Sequence, residues 1–374
     1  MSSDTDHHYM ASAIRLAQKG IYTTHPNPRV GCLLVKAGKV VGEGYHHRAG
    51  EPHAERNALA DAGTQAQGAT AYVTLEPCCH HGRTPPCTDG LIEAGVKRVV
   101  AAMRDPNPLV SGNGLEKLRE AGIEVIDGIM QSQAEALNPG FVKRMREGMP
   151  YVRCKLAMSL DGRTAMASGE SQWITSSAAR EDVHRLRARS AAILTGAGTM
   201  QADDPTMNVR LTAAQLGLEA DIPPPQPLRV VLDPQLQTPP TAKMLHQPGP
   251  VLLVCGDEAR LQAGPLEAIG AQIATLPVYD NQLDLHEVMK LLAAHEINEV
   301  LLESGAVLAG SMLEAGLIDE LVVYLAPHLM GSGARGLFHL PELLHMKDRI
   351  PLKIKEIRQI GEDIRITAVP SPGQ

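Results

Sequence analysis

Apolar and polar positions alternate along the first part of the chain in a way that predicts short strands separated by amphipathic helices. Apolar runs at residues 30–35, 69–75, 98–103 and 123–126 indicate strands. Apolar positions three and four residues apart predict helices at 9–20, 55–62, 88–94 and 115–121. A glycine closes or follows each of these helical runs, where a left-handed cap forms. The pattern is typical of an α/β fold with a mostly parallel sheet flanked by helices.

The second half of the chain repeats this alternation. It predicts strands at 151–157, 191–195, 228–232, 251–254, 300–302 and 321–325, and a closing pair at 352–360 and 363–368. Helices are expected at 177–188, 286–295 and 308–315, and the proline-rich stretch 204–227 is interpreted as a surface loop. The stretch 144–150 ends in Gly and Pro and predicts a linker. We therefore expect two α/β domains, at 1–147 and 148–374.

Charge and composition narrow the class of function. The formal net charge is -7, the pI is about 6.1, and the chain has one Trp, two Phe and seven Tyr. These values argue against a nucleic-acid partner, which needs a basic surface and stacking aromatics. The polar, acidic start and the lack of an apolar run near the ~20 residues of a membrane span predict a cytoplasmic protein that does not enter a membrane. Six cysteines in 374 residues do not suggest a disulfide framework.

One histidine, one glutamate and two cysteines carry the most specific chemistry. The sequence reads His53-Ala54-Glu55, and Pro77-Cys78 is followed by Cys87. One imidazole and two thiolates leave the fourth position of a tetrahedral zinc open to water, and zinc lowers the pKa of that water to roughly 7. A His-x-Glu with a later Pro-Cys and a second Cys is the signature of zinc-dependent amine hydrolysis on a pyrimidine- or purine-like ring. Glu55 is then the proton shuttle.

This motif has other interpretations, and it constrains the local fold. A closed structural zinc would take His80 or His81 as its fourth ligand, although the eight residues between Cys78 and Cys87 fit no ordinary finger. Cys79 is not expected to bind the metal, since adjacent side chains point apart. The motif also occurs in nucleic-acid base deaminases, and it could stabilise a binding module without activity.

Two positional expectations follow from helix geometry. His53 and Glu55 would lie about 200° apart within a helix, so His53 must precede or open the first turn. Cys87 is expected just before the helix predicted at 88–94, where the helix dipole favours a thiolate.

Longer motifs give the chain a resemblance to the bifunctional deaminase-reductase family of riboflavin biosynthesis. In the first half the motifs are THPNPRVG at 24–31, GEGYH at 42–46, GEPHAE at 50–55 and PCCHHGRTPPC at 77–87. In the second half they are KLAMSLDG at 155–162, SQWIT at 171–175, DDP at 203–205 and ESGA at 303–306. The resemblance covers nearly the whole chain.

The resemblance implies a cytidine-deaminase-like first domain and a dihydrofolate-reductase-like second domain. The first would deaminate 2,5-diamino-6-(5-phosphoribosylamino)pyrimidin-4(3H)-one, and the second would reduce the ribosyl group to ribityl with NADPH. By similarity His53, Cys78 and Cys87 bind one zinc ion and Glu55 transfers the proton. The resemblance also implies that Asn27 and His46 line the deaminase pocket. A homo-oligomer, either dimer or tetramer, is also expected because exposed sheet edges in such folds are often buried between subunits.

For the second domain, residue chemistry and resemblance together predict a cofactor site. The second half has no Gly-x-Gly-x-x-Gly fingerprint, but glycine-containing turns follow the strands at 191–195 and 300–302 and lead towards helices, where backbone amides can meet phosphate. Such turns are common in proteins without a nucleotide cofactor, so the assignment of NADPH contacts depends on the resemblance. It implies NADPH contacts by Ala157, Trp173, Thr199, Asp203, Gly305, Ala306, Val307, Leu308, Ala309, Gly310 and Ser311. It implies substrate contacts by Ser171, Arg187, Met207, Arg210 and Glu303.

Lys155, Asp203 and Glu303 are the candidate polar groups near the reacting carbon, with Lys155 and Asp203 taken as catalytic. Lys155 could equally form a strand-end ion pair, and Asp203 or Asp204 could cap the turn at Pro205. Arg187 and Arg210 suit a sugar phosphate because guanidinium binds it with two hydrogen bonds, but either could be a solvated charge. Trp173 could instead fill the core or form a hydrophobic staple at the helix start near residue 177.

Overall fold

The structure is a computed structural model that describes residues 4–80, 85–108, 110–341 and 343–371. The chain divides into two compact units, Met1–Gly148 and Met149–Gln374. Over the described residues, five short 3-10 segments accompany the helices and strands. They are Gln18–Gly20, Gly63–Ala66, Lys243–His246, Ala259–Gln262 and Met346–Asp348.

The first unit is an α/β fold. Its helices, within the described residues, are α1 (Asp4–Ala17), α2 (Ala54–Ala62), α3 (Cys87–Glu93), α4 (Asn113–Glu120), α5 (Gln131–Leu137) and α6 (Pro139–Glu147). Its strands are β1 (Gly31–Lys36), β2 (Lys39–Tyr45), β3 (Thr70–Val73), β4 (Arg98–Ala101) and β5 (Glu124–Asp127). They form one sheet in the order β2-β1-β3-β4-β5. The four predicted strands and four predicted helices are confirmed, with ends shifted by a few residues.

Three features of the first unit were not expected. Strand β2 pairs antiparallel with β1, and β1 is itself antiparallel to β3, so only β3, β4 and β5 run parallel. Helices α5 and α6 follow β5. The predicted linker at 144–150 is wrong over its first four residues, which belong to α6. That helix ends at Glu147, and Gly148 after it forms a left-handed cap with a φ of 69°.

The second unit is built on one long sheet. Its helices, as far as the structure describes them, are α7 (Ser177–Arg189), α8 (Ala197–Asp203), α9 (Ala213–Leu216), α10 (Gly264–Glu267), α11 (Leu285–Ala294) and α12 (Ala306–Glu314). The strands before β14 are β6 (Tyr151–Ser159), β7 (Arg163–Ala165), β8 (Ala192–Gly196), β9 (Leu228–Leu232), β10 (Val251–Cys255), β11 (Gln272–Thr275), β12 (Val278–Tyr279) and β13 (Gln282–Leu283). The remaining strands are β14 (Glu299–Leu302), β15 (Glu320–Ala326), β16 (Arg335–Gly336), β17 (Leu352–Ile360) and β18 (Asp363–Pro370).

The sheet order is β11-β10-β9-β8-β14-β6-β15-β18-β17. The strands from β11 to β15 in this order run parallel, and the C-terminal hairpin β17-β18 adds antiparallel to β15. All predicted strands and helices of this half are present. Central strands β8, β9, β10 and β14 are buried on both faces, as their apolar runs indicate.

The interpretation of 204–227 as a surface loop is wrong in part. Met207, Val209 and Leu211 are buried, and Met207 belongs to an apolar cluster with residues of β8 and β9. Helix α9 also lies in this stretch and begins with a capping box between Thr212 and Gln215. Prolines exclude long helices here, but they do not prevent a segment from packing against the core.

No helix in the described ranges combines the length and apolar character that crossing a membrane requires.

Candidate active sites

The start of α2 places His53 and Glu55 on the same site. His53 is the residue before the first helical turn, with extended backbone (φ -72°, ψ 165°), and Glu55 lies in that turn. The expectation that His53 precedes or opens the helix is therefore confirmed. This break in helical geometry removes the angular separation that would keep the two side chains apart. Glu55 is buried, with 3% of its surface exposed.

The two cysteines reach His53 from the segment after β3 and from the start of α3. Helix α3 begins one residue earlier than expected, so Cys87 is its first residue and not the residue before it. The Cys87 N–H donates to Cys78 Sγ at 3.4 Å. His53 Nδ1 lies 3.6 Å from Cys78 Sγ and 3.3 Å from Cys87 Sγ. Tetrahedral zinc separates a ligand nitrogen from a ligand sulfur by about 3.5 Å, given its usual bond lengths. The donor atoms lie within 4.8 Å of one another, so this group fits zinc.

The surroundings of this group favour the thiolate form of Cys78 and a carboxyl of Glu55 that can be protonated. Hydrogen bonds from Cys87 and His53 lower the pKa of Cys78 to about 4, and sharing that hydrogen bond raises the pKa of the Cys87 thiol. A cation shared by both sulfurs favours the thiolate of each. Burial raises the pKa of Glu55 to about 7, although His53 opposes this shift. A carboxyl with a pKa near ambient pH can accept a proton and return it.

The alternative of a structural zinc with a fourth protein ligand is not supported by the residues that the structure describes. His80 is exposed and does not belong to the donor group, and Cys79 is also outside it. His81 lies outside the described residues.

Asn27 and His46 lie beside the donor group. The His46 ring is edge-on to the His53 ring, with centroids 5.4 Å apart. His46 Nδ1 lies 3.1 Å from the Pro52 carbonyl oxygen, which can only accept, so Nδ1 carries a proton. Nε2 then accepts from the Asn27 amide Nδ2 at 3.0 Å. Burial lowers the pKa of His46, in keeping with a neutral ring that turns the Asn27 carbonyl oxygen away from it.

In the second unit, two glycine-containing turns meet at the carboxyl ends of neighbouring parallel strands. Strand β8 ends at Gly196 and α8 begins at once, while Gly305 precedes the first turn of α12 after β14. The Glu303 N–H donates to the Leu194 carbonyl at 2.9 Å, and a Cβ on Gly196 would lie 3.3 Å from Leu308 Cδ2. Ligands of open α/β sheets bind at such carboxyl edges. Both turns therefore belong to one candidate cofactor site.

A charged cluster lies at the same edge. Arg187 of α7 donates to both carboxylate oxygens of Glu303, at 2.6 and 2.8 Å. Burial opposes ionisation of Glu303, but Arg187 and Lys155 lower the pKa of its carboxyl to about 2. Burial also lowers the pKa of Lys155, which Glu303 partly offsets. Charge interactions thus connect three predicted residues that are far apart in the chain, Lys155, Arg187 and Glu303.

Comparison with known proteins adds independent evidence. The family model described as the RibD C-terminal domain matches residues 150–366, and that of the cytidine and deoxycytidylate deaminase zinc-binding region matches residues 3–103. The riboflavin biosynthesis protein RibD of Escherichia coli is 54% identical over 363 residues, covering 96% of this chain and 98% of its own length. That of Haemophilus influenzae is 50% identical over 371 residues, covering 98% of both.

This chain belongs to the RibD family. A solved structure of Acinetobacter baumannii RibD is 46% identical, covers 98% of this chain and 99% of its own, and superposes with a TM-score of 0.89. A Thermotoga maritima structure, described as a diaminohydroxyphosphoribosylaminopyrimidine deaminase/5-amino-6-(5-phosphoribosylamino)uracil reductase, is 32% identical, covers 98% and 99%, and has a TM-score of 0.82.

Family membership confirms several expectations. The chain is an enzyme of riboflavin biosynthesis, with a zinc-binding deaminase domain of cytidine-deaminase type and a reductase domain that matches the RibD C-terminal domain. Zinc and NADPH, the expected cofactors, are those of the family. Its substrate is a small molecule. The roles of individual residues remain predictions.

The other residues assigned to the RibD reductase site have varied surroundings. Trp173 is 68% exposed, so core filling is wrong; its ring lies under the Arg180 guanidinium, 4.6 Å from the centroid. A hydrophobic staple would need an apolar side chain at the fourth residue of the helix. In α7 that residue is Arg180. Ser171 is half-buried, and Asp203 is exposed at the end of α8. Asp204 accepts from the Lys243 N–H at 2.9 Å, a residue 39 positions away, so this contact is not a cap of the turn at Pro205.

The remaining assigned residues differ in exposure. Ala157 and Thr199 are half-buried, whereas Met207 is buried. In the segment 305–311, Gly305 and Val307 are exposed, but Ala309 and Gly310 are buried. A Cβ on Gly310 would lie 2.1 Å from the His339 carbonyl oxygen, so this glycine has a packing reason of its own.

Sequence reasoning missed residues that support the second site. His184 of α7 is buried and accepts from the Arg210 N–H at 3.4 Å. Burial, together with Arg187 and Arg210, lowers the pKa of His184 to about 4. Thr195 is fully buried at the end of β8, and its hydroxyl has no partner among the described residues. The position of His184 one helical turn before Arg187 is the only sequence signal that could have pointed to it.

Proposed function

We propose that the first unit hydrolytically deaminates 2,5-diamino-6-(5-phosphoribosylamino)pyrimidin-4(3H)-one, and that the second unit reduces the ribosyl group of the product to give 5-amino-6-(5-phosphoribitylamino)uracil. The observation that carries the proposal is the His53, Cys78 and Cys87 donor group beside the buried Glu55. The Thermotoga maritima relative, which covers nearly the whole chain, is described by both activities.

In the first unit, the three donors would hold zinc, which supplies Lewis acidity and an activated water. Glu55 would accept a proton and deliver it to the departing amine, because its pKa of about 7 permits both transfers. Asn27 and His46 would contact the substrate. The Asn27 carbonyl oxygen, left over from the bond to His46, suits a donor group on the substrate.

In the second unit, NADPH would supply the hydride. Its proposed contacts are Ala157, Trp173, Thr199, Asp203, Gly305, Ala306, Val307, Leu308, Ala309, Gly310 and Ser311. Lys155 would supply the proton to the reacting heteroatom, since burial lowers its pKa, and Asp203 is the second candidate catalytic group.

The proposed substrate contacts of the second unit are Ser171, Arg187, Met207, Arg210 and Glu303. Arg187 already forms a two-bond pair with Glu303, so it would orient that carboxylate. Arg210 is exposed, donates to the Thr206 hydroxyl at 2.8 Å and forms no ion pair with a described carboxylate. Arg210 is therefore the better placed of the two for the sugar phosphate.

Mass measurement tests both steps. The purified protein is incubated with the diaminopyrimidinone ribotide, with and without NADPH. Without NADPH we expect a mass increase of about one unit, as oxygen replaces the amine. With NADPH we expect about two further units from hydride and proton. An unchanged substrate in the zinc-loaded protein would contradict the proposal.

We further propose a cytoplasmic homo-oligomer, dimer or tetramer, that acts on this small molecule and not on nucleic acid. All six cysteines are unpaired, which suits a reducing compartment. Strand β17 is at the sheet edge and exposes Leu352, Ile354 and Ile357 by 48%, 57% and 61%. An exposed apolar edge strand tends to pair with another chain, so we expect a second subunit to cover it. Light scattering of the intact protein should give a dimer or larger, and Ile357→Lys should shift it towards monomer; a monomeric parent protein would contradict the proposal.

A further inference from the structure

Glu76, two residues before Cys78, is a buried carboxylate surrounded by backbone donors. It is 3% exposed. Oε2 accepts from the N–H groups of Asp105 at 3.1 Å and Gly112 at 2.9 Å. Oε1 accepts from those of Gly114 at 2.9 Å and Leu115 at 3.2 Å. Four such bonds can hold a buried charge that would otherwise be costly.

The donors come from two segments that are distant from Glu76 in sequence. Asp105 follows β4, and the other three open α4, whose first N–H groups have no partner within the helix. No side chain of the residue before α4 can cap it, because that residue is Gly112. A Cβ on Gly114 would lie 2.1 Å from the Pro77 carbonyl oxygen. The start of α4 therefore packs directly on the segment that leads to Cys78.

Cys78 is held from its other side by α3. The Thr88 N–H donates to the Cys78 carbonyl at 3.2 Å, and the Cys87 N–H donates to its Sγ at 3.4 Å. The Glu76 N–H donates to the Met103 carbonyl at 3.0 Å. The backbone from Glu76 to Cys78 is thus fixed at both ends, and the Glu76 carboxylate supplies four of these contacts.

We propose that Glu76 is a positioning residue that sets the backbone of Cys78 for zinc, without touching the metal or the substrate. The inference rests on the proposed zinc site. An amide at this position would turn an NH2 group towards backbone N–H donors, and each lost bond leaves a buried donor unsatisfied. The relief of that conflict moves the segment that carries Cys78. Supporting contacts of metal ligands change metal affinity by about 10–100-fold when they are removed.

The test compares zinc dissociation constants of the intact protein and Glu76→Gln by competition with a chromophoric chelator. Asp6→Asn is the matched control. Asp6 is another buried carboxylate of the same unit. It accepts from Tyr72 at 2.8 Å and from Arg98 at 2.8 and 2.9 Å, which lie in strands β3 and β4 and not in the segment from Glu76 to Cys78. We expect zinc to bind about 10–100-fold more weakly to Glu76→Gln and with unchanged affinity to Asp6→Asn.

Cobalt gives a readout that loss of stability alone would not change. The visible absorption of Co²⁺ bound by one nitrogen and two sulfurs reports its coordination, so we expect an altered spectrum in Glu76→Gln and the parental spectrum in Asp6→Asn. If Glu76→Gln does not fold, Glu76→Asp replaces it, because its carboxylate is one methylene too short to reach both sets of donors. NADPH-dependent reduction should be unchanged in every variant.

Two results would overturn the inference. One is a folded Glu76 variant with the parental zinc affinity and cobalt spectrum. The other is an equal loss of zinc affinity in Asp6→Asn, which would make the effect one of general stability. Failure of the proposed zinc site is recognised separately, since the parent protein itself would then bind zinc no better than Cys87→Ser.

Discussion

Two glutamates show how surroundings assign different chemistry to the same side chain. Glu55 is buried beside two thiols, and burial raises its pKa to about 7. Glu303 is half-buried, with 14% of its side chain exposed, and its two hydrogen bonds from Arg187 and the charge of Lys155 lower its pKa to about 2. Glu55 can therefore carry a proton, whereas Glu303 stays an anion that orients cationic neighbours.

Replacing Glu55 should separate metal binding from catalysis. We expect Glu55→Gln to retain zinc and fold but to lose deamination by about 10²-fold or more, the size of a general acid-base contribution. Elemental analysis gives the zinc content and product mass gives the rate. Parental deamination in this variant would exclude the proton-transfer role.

The cysteine pair offers a matched comparison. Cys87→Ser should lose zinc, because Cys87 Sγ lies 3.3 Å from His53 Nδ1 within the donor group. Cys79→Ser should keep one zinc per chain, because Cys79 is outside that group. Metal analysis after dialysis distinguishes them. Equal zinc content in the two variants would contradict the assigned ligand set.

Among the secondary-structure elements, strand β2 determines how close helix α2 comes to the sheet. A Cβ on Gly44 would lie 2.3 Å from the Ala54 carbonyl oxygen and 2.4 Å from the Ala58 N, so only glycine permits the observed approach. Because α2 begins directly after His53 and carries Glu55, this contact also places the proposed proton-transfer group.

We expect Gly44→Ala to lower the free energy of unfolding of the first unit by about 1–3 kcal/mol through overpacking, and to reduce deamination. Gly264→Ala is the control, since a Cβ on Gly264 meets nothing within 4 Å. Calorimetry compares the two. A Gly44→Ala protein as stable as the control would show that α2 can move away at little cost.

For the whole molecule, two compact units with their own sheets and apolar cores predict that the two activities can be lost separately. We expect chelation of zinc to abolish deamination and to leave NADPH-dependent reduction of the deaminated intermediate intact. Absorbance of NADPH follows the second step. Loss of both activities on chelation would show that the units depend on one another.

The half-buried ion pair between Arg187 and Glu303 should make the stability of the second unit depend on pH in the acidic range. A carboxyl whose pKa is lowered from 4.5 to about 2 stabilises the folded state above pH 4.5, and this contribution disappears as the pH falls towards 2. Glu303→Gln should therefore cost on the order of 3 kcal/mol at pH 7 and much less near pH 2. Trp173, the single tryptophan, reports unfolding of this unit in denaturant. A cost independent of pH would contradict the assigned shift.

Much of the molecule follows from local patterns. Apolar runs predicted the buried strands of the second unit because a central parallel strand is apolar on both faces. The identities of His53, Glu55, Cys78 and Cys87 and their spacing indicated a zinc site because few residue types bind this metal. Helix geometry alone required His53 to precede or open the first turn of α2, and the structure places it before that turn.

Contacts between residues distant in sequence could not be obtained in this way. Strand β2 was missed because its glycines and exposed positions resemble a loop, and only its pairing with β1 and the approach of α2 make it a strand. Arg187 and Glu303 are 116 residues apart, and Glu76 meets donors 29 to 39 residues away. Such bonds depend on strand register and helix packing, which arise when the whole chain buries its apolar surface, so no local pattern encodes them.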